Sequence, residues 1–168
     1  MSNASANIIA LKTIWIKECT RFLRIWVQTL VPPAITMTLY FVIFGSIVGE
    51  RIGTMSGVTY MEFIVPGLIM MSVITNSYSN VASSFFSAKF QRNIEEMLVS
   101  PMPNWVILAG FILGGMARGL GVGIIVTGVS LFFTRIDVAH PLLTIGVVVL
   151  TAALFATGGF INALLGKK

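Results

Sequence analysis

Cysteine, histidine and charge are all scarce in this chain. A single Cys19 leaves no partner for an internal disulfide, and a single His140 leaves too few ligands for a zinc-type cluster. Charged residues make up 10% of the 168 positions, and no acid–base pair or nucleophile–base constellation stands out among them. No Gly-Lys-Ser/Thr element is present to cradle phosphate. At the N-terminus Lys12, Lys17, Arg21 and Arg24 interrupt the apolar residues, and no small-residue cleavage site follows a clean hydrophobic segment. These absences argue against a hydrolase, a metalloenzyme or a cofactor enzyme. They leave the first membrane span as the expected, uncleaved membrane signal.

What the chain has is apolar length. Hydrophobic residues account for 56% of it, mean hydropathy is +0.92, and the apolar residues come in blocks too long for the core helices of a soluble domain. The expected fold class is all-α, a polytopic transmembrane helical protein with about four spans. Net charge is +5, but the basic residues cluster beside hydrophobic runs and form no aromatic-interleaved strip, so the lipid membrane is the expected partner and nucleic acid is not.

Residues 5–24 place Ile8, Leu11, Trp15, Cys19, Phe22 and then Trp26 three or four apart, with Lys17, Arg21 and Arg24 on another side. This pattern predicts an interfacial helix flat on an anionic leaflet, its tryptophans at headgroup level. Span one is expected from Ile25 to Gly49, charge-free and longer than the roughly 20 residues a bilayer core requires. Pro32-Pro33 falls in its first turns, where a missing donor costs least. A polar connector, Glu50 to Glu62, precedes span two, about Phe63 to Ala88.

Span two carries Ser72, Asn76, Asn80, Ser83 and Ser87, stepping by four, four, three and four. That spacing aligns them on one stripe, which either lines a polar route or hydrogen-bonds to neighbouring helices. The third block, Asn104 to Phe133, is interrupted by Arg118, which a helix beginning at the interface would place inside the near half of the membrane. There it must snorkel, pair with acceptors on other helices, or meet substrate. The same block carries Gly110, Gly114, Gly115, Gly119 and Gly123 at small-residue spacings that let helix backbones approach closely. Span four is expected at about Leu142 to Leu165.

Between spans two and three lies a charged island, Lys89 to Pro103. Phe90, Ile94, Met97 and Leu98 recur there at helical spacing, Lys89, Arg92, Glu95 and Glu96 supply charge, and Pro101 and Pro103 close the segment. It reads as a short amphipathic helix outside the bilayer, either a docking surface for a soluble partner or a surface-lying connector. With the N-terminus inside, eight basic residues (Lys12, Lys17, Arg21, Arg24, Lys89, Arg92, Lys167 and Lys168) fall on the inner side against Arg51 and Arg135 outside. The asymmetry predicts cytoplasmic N- and C-termini and a cytoplasmic island.

The ordered series of an amphipathic first helix, Phe63-Ile64-Val65-Pro66-Gly67-Leu68 opening span two, and Arg92-Asn93-Ile94-Glu95-Glu96-Met97-Leu98-Val99-Ser100-Pro101 before the third block resembles the permease subunit of ABC-2 type transporters, particularly the YadH-like branch. The resemblance covers nearly all of residues 1–168. It implies an exporter half in the inner (plasma) membrane that forms a homodimer with a second permease copy. It also implies coupling to a separate ABC ATPase subunit through segment 89–103, with Arg92, Ile94, Glu95, Glu96 and Leu98 as the coupling residues and no cofactor of its own. Permeases of the family usually have six spans, and four are read here, so the chain is expected to be an incomplete permease. The alternative function is a non-transporting assembly or regulatory membrane protein derived from a truncated permease.

Overall fold

The computed structural model describes residues 3–167; Lys168, counted above with the inner basic residues, lies outside them. Four stretches are long and apolar enough to cross a membrane, Trp26–Ile52, Tyr60–Phe90, Asn104–Ser130 and Pro141–Leu165. They match the four hydrophobic blocks, and the protein is an all-α polytopic membrane protein.

Helix α1 (Asn3–Arg24) leads, after a break at Ile25 (φ −111°, ψ 39°), into the composite first span. That span consists of α2 (Trp26–Thr29), α3 (Val31–Tyr40), a π-helical stretch (Phe41–Val48) and α4 (Gly49–Ile52). Pro32 and Pro33 occupy the opening positions of α3, where their missing donors and fixed φ are compatible with a helix. The π stretch widens the helix over eight residues. Within it Phe41 is buried and Gly45 lies under the end of the Met61 side chain, which a Cβ there would have to displace.

The connector is a hairpin of two short strands, β1 (Thr54–Met55) and β2 (Val58–Thr59), paired antiparallel with Thr54 opposite Thr59. Its turn residues, Ser56 (φ 54°) and Gly57 (φ 83°), both take positive φ, as tight hairpins favour. Helix α5 (Tyr60–Phe90) begins three residues earlier than the hydropathy block, because Thr59 and Glu62 form a reciprocal capping box.

After α5 come the short α6 (Asn93–Val99), α7 (Asn104–Ser130) and α8 (Pro141–Leu165). Helix α5 packs most extensively, against α8 and α7, while α1 and α3 both lie on α7. Two apolar clusters result. One, toward the α6 end, contains Val81, Phe85, Val106, Phe111 and Ala156; Phe85 meets Phe111 edge-on, ring centroids 5.4 Å apart, and Phe160 at 4.3 Å. The other, toward the hairpin end, gathers Met37, Phe41, Val65, Val122 and Val126.

The glycines of α7 divide into two rows. Gly110 takes Ile14 of α1 against its bare backbone and Gly114 takes Glu18, whereas Gly115, Gly119 and Gly123 receive Val81, Ser77 and Val73 of α5. A spacing that reads as one continuous small-residue pattern therefore serves two partners.

Candidate functional site

Three features are candidates for a functional site: the surface of α6, a buried polar junction between α1, α5 and α7, and a cavity at the hairpin end. Helix α6 is set off from α5 by Arg92, whose left-handed backbone (φ 62°, ψ 10°) turns the chain sharply. A non-glycine residue there is held at some cost. The segment is closed by Ser100, whose amide and hydroxyl donate to the carbonyls of Glu96 and Met97 (3.2 and 2.6 Å).

Of the island's apolar residues, Ile94 and Met97 pack, with Met102, against the cluster at this end. Phe90 instead ends α5 and is exposed; Leu98 is 57% exposed and its neighbour Val99 88%. Arg92, Glu95 and Glu96 are exposed as well. One side of α6 is thus fastened to the bundle, and the other offers two carboxylates and two aliphatic side chains. The carboxylates lie in the helix's first turn, where the backbone dipole favours them. Lys89 is engaged elsewhere, its Nζ donating to the carbonyls of Leu164 (2.9 Å) and Gly166 (2.8 Å) at the end of α8.

The polar junction centres on Glu18, a residue the sequence reading passed over. Its row on α1, Ile14, Glu18 and Phe22, is the buried one, while Ile8 and Trp15 of the anticipated apolar row are exposed. The cause lies on α7, whose Gly110 and Gly114 leave space for the side chains of Ile14 and Glu18. The Glu18 Oε2 accepts a 2.6 Å hydrogen bond from Ser84 Oγ and lies 3.5 Å from Arg21 Nε. Arg21 donates through an Nη to Asn80 Oδ1 (2.9 Å). An acid four residues from both Ile14 and Phe22 was the available signal. Beside Glu18, burial and then the Glu18 charge raise the Cys19 thiol above the usual range.

Along α5 the buried polar residues are Ser72, Asn76, Ser77, Asn80 and Ser84, whereas Ser83 and Ser87 are exposed. Uniform steps of four follow the packed ridge, and the anticipated step of three leaves it. Asn76 donates to the Ser72 carbonyl (2.9 Å) of its own helix, whereas Asn80, like Ser84, reaches α1, its Oδ1 accepting from Arg21 at 2.9 Å. Arg118 is half-buried, and its Nε, shut off from the surface, meets no acceptor among the described residues.

A cavity of about 830 Å³ lies at the hairpin end between α5, α7 and α8, lined by Pro66, Met70, Leu120, Ile124 and Leu143, with Asp137 and His140 among the few polar groups. The Ser72, Asn76 and Asn80 side chains are not part of its lining, although Val73 is.

The sequence model of the ABC-2 type transporter family matches residues 9–168. The inner membrane transport permease YadH of Escherichia coli strain K12 is 64% identical over 159 residues, covering 95% of this chain and 62% of that protein. The proteins of the same name from Escherichia coli O157:H7 and Shigella flexneri match to the same extent. The chain therefore spans less than two thirds of the length of the curated relatives it matches. No solved structure matches it with significance.

Proposed function

Because this chain belongs to the ABC-2 type transporter family, we propose that it is the membrane-spanning permease part of an ABC-type exporter of the inner membrane, driven by ATP hydrolysis on a separate subunit. Both termini and α6 face the cytoplasm, in keeping with the distribution of basic residues. A second permease copy completes the pathway.

The observation that carries this reading is the two-sided attachment of α6. Glu95, Glu96, Leu98 and Val99 are open to a soluble partner, while Ile94 and Met97 are packed into the cluster formed by α1, α5, α7 and α8. A displacement imposed on the outer side passes directly to the spans, because close-packed interiors transmit strain. Arg92 and the two carboxylates make charged contacts with the ATPase, Leu98 fills an apolar depression on it, and Ile94 is the anchor within the permease.

Affinity purification from native membranes tests the reading. The wild-type chain should retain an ABC ATPase, and a Glu95→Ala/Glu96→Ala variant should insert normally but retain much less of it. Equal retention by both proteins, or no ATPase with either, would count against the proposal.

A further inference from the structure

Gly110, Gly114 and Arg118 form one row of i, i+4 spacing on α7, and the first two members take Ile14 and Glu18 of α1 against them. Continuing both rows sets Arg118 opposite Phe22, the residue that follows Arg21. Two guanidinium groups are thus gathered where α1 meets α5 and α7, with Glu18 supplying one negative charge against two positive ones.

The hydrogen bonds around them are unbalanced in the same direction. Arg21 Nε, Arg118 Nε and Asn80 Nδ2 are all buried and meet no acceptor among the described residues, and Asn80 is fully enclosed, its Oδ1 already committed to Arg21. Glu18 Oε2, at 3.5 Å, is too far from Arg21 Nε for a good hydrogen bond and is occupied by Ser84. Buried donors without acceptors are costly, and so is an excess cation in a low-dielectric setting. An acceptor that is negatively charged and has several oxygens would satisfy these donors and balance the charge.

The depth of the junction identifies its source. Asn80 lies twenty residues along α5 from Tyr60, about 30 Å of helix, which is about the thickness of the hydrocarbon core. The junction therefore stands near the headgroup boundary on the α6 side. It is open on one flank, where the Arg21 side chain keeps 36% of its exposure, and α1 exposes Trp15, Leu23 and the basic Lys17 and Arg24 around it. We propose that the junction of α1, α5 and α7 binds the phosphate of an anionic phospholipid, with Arg21 and Arg118 as donors and Asn80 holding Arg21 from behind. A bound lipid locks the first helix onto the helices that carry α6, and so makes the packing of α1 dependent on the charge of the leaflet.

The test needs no ATPase, so it is independent of the coupling role of α6. The delipidated 168-residue chain in detergent is titrated with phosphatidylglycerol, phosphatidylcholine or inorganic phosphate, and binding is read by native mass spectrometry. One phosphatidylglycerol per chain should bind about tenfold more tightly than phosphatidylcholine, and Arg118→Gln should remove that preference. Asn80→Asp supplies the missing negative charge from within; it should lose the bound lipid while keeping the wild-type melting temperature, which separates binding from folding. Arg24→Gln should bind as the wild type does. Equal affinity for the two lipids, undiminished binding by Asn80→Asp, or inorganic phosphate binding as tightly as phosphatidylglycerol would overturn the proposal, the last by assigning the site to a free anion.

Discussion

Glu18 of α1 and Gly114 of α7 are in backbone-to-side-chain contact: a Cβ placed on Gly114 would lie 2.5 Å from the Glu18 Cβ. The contact brings the Glu18 carboxylate deep enough to reach Ser84 on α5, so one glycine positions a link between three helices. Gly114→Ala should push α1 away and lower stability by about 1–3 kcal/mol, the usual cost of overpacking. Gly128→Ala is the matched control, since a Cβ there meets nothing within 4 Å and alanine is the better helix former by about 1 kcal/mol. Thermal denaturation in detergent should rank Gly128→Ala at or above the wild type and Gly114→Ala clearly below it; equal melting temperatures for the two variants would remove the significance given to this contact.

Cys19 reports on the same junction. Burial chiefly, and the neighbouring Glu18 charge secondarily, raise its thiol pKa, so at pH 8 a smaller fraction is thiolate than in a free cysteine. Alkylation should be slower than for a model thiol at pH 8 and should accelerate as the pH rises. Glu18→Gln removes the like charge and should quicken the reaction at fixed pH. Rates followed by mass spectrometry decide the matter; alkylation as fast as the model thiol at pH 8 would contradict the enclosed setting.

Much of this arrangement is legible in the sequence, because hydropathy over 20 or more residues is a strong signal and each block became a helix. The finer features depend on partners. The stripe on α5 follows Ser77 and Ser84 in place of Ser83 and Ser87, since the packed ridge is set by where α7 and α8 lie and not by polarity alone. The exposed side of α1 is its more apolar row, Ile8 and Trp15, which is what a lipid-facing helix requires, and the buried Glu18 is explained only by glycines nearly a hundred positions away. The capping box of Thr59 and Glu62 was readable from its spacing. The π-helical stretch after Tyr40 carries no comparable local mark.

The orientation is open to a direct measurement. Thr54 in the hairpin and Asn93 at the start of α6 lie beyond opposite ends of α5. Single cysteines at these positions, in a Cys19→Ser background, should differ in their reaction with an impermeant thiol reagent. In intact cells Thr54→Cys should label from outside, and Asn93→Cys should label only after the membrane is opened. Labelling of both from one side would exclude the four-span topology, and the reverse pattern would place α6 outside.

Arg92 joins a backbone turn to a proposed side-chain contact, and its substitutions can separate the two. Its backbone is left-handed (φ 62°), a conformation that costs a side-chain-bearing residue about 1–2 kcal/mol and glycine much less. The residue is exposed, and its guanidinium is part of the proposed ATPase contact. Arg92→Gly should therefore keep α6 in place and leave the melting temperature unchanged or slightly raised, yet weaken retention of the ATPase. Arg92→Val should misplace α6, because a β-branched residue tolerates positive φ poorly, and should render residues 89–103 sensitive to limited proteolysis. If Arg92→Gly retains the ATPase as well as the wild type, the side chain is not part of the contact and the turn alone explains the residue. If the valine variant resists proteolysis as the wild type does, the left-handed turn is not what holds α6 against Ile94 and Met97's neighbours, and the mechanical link from the outer surface of α6 to the spans loses its hinge.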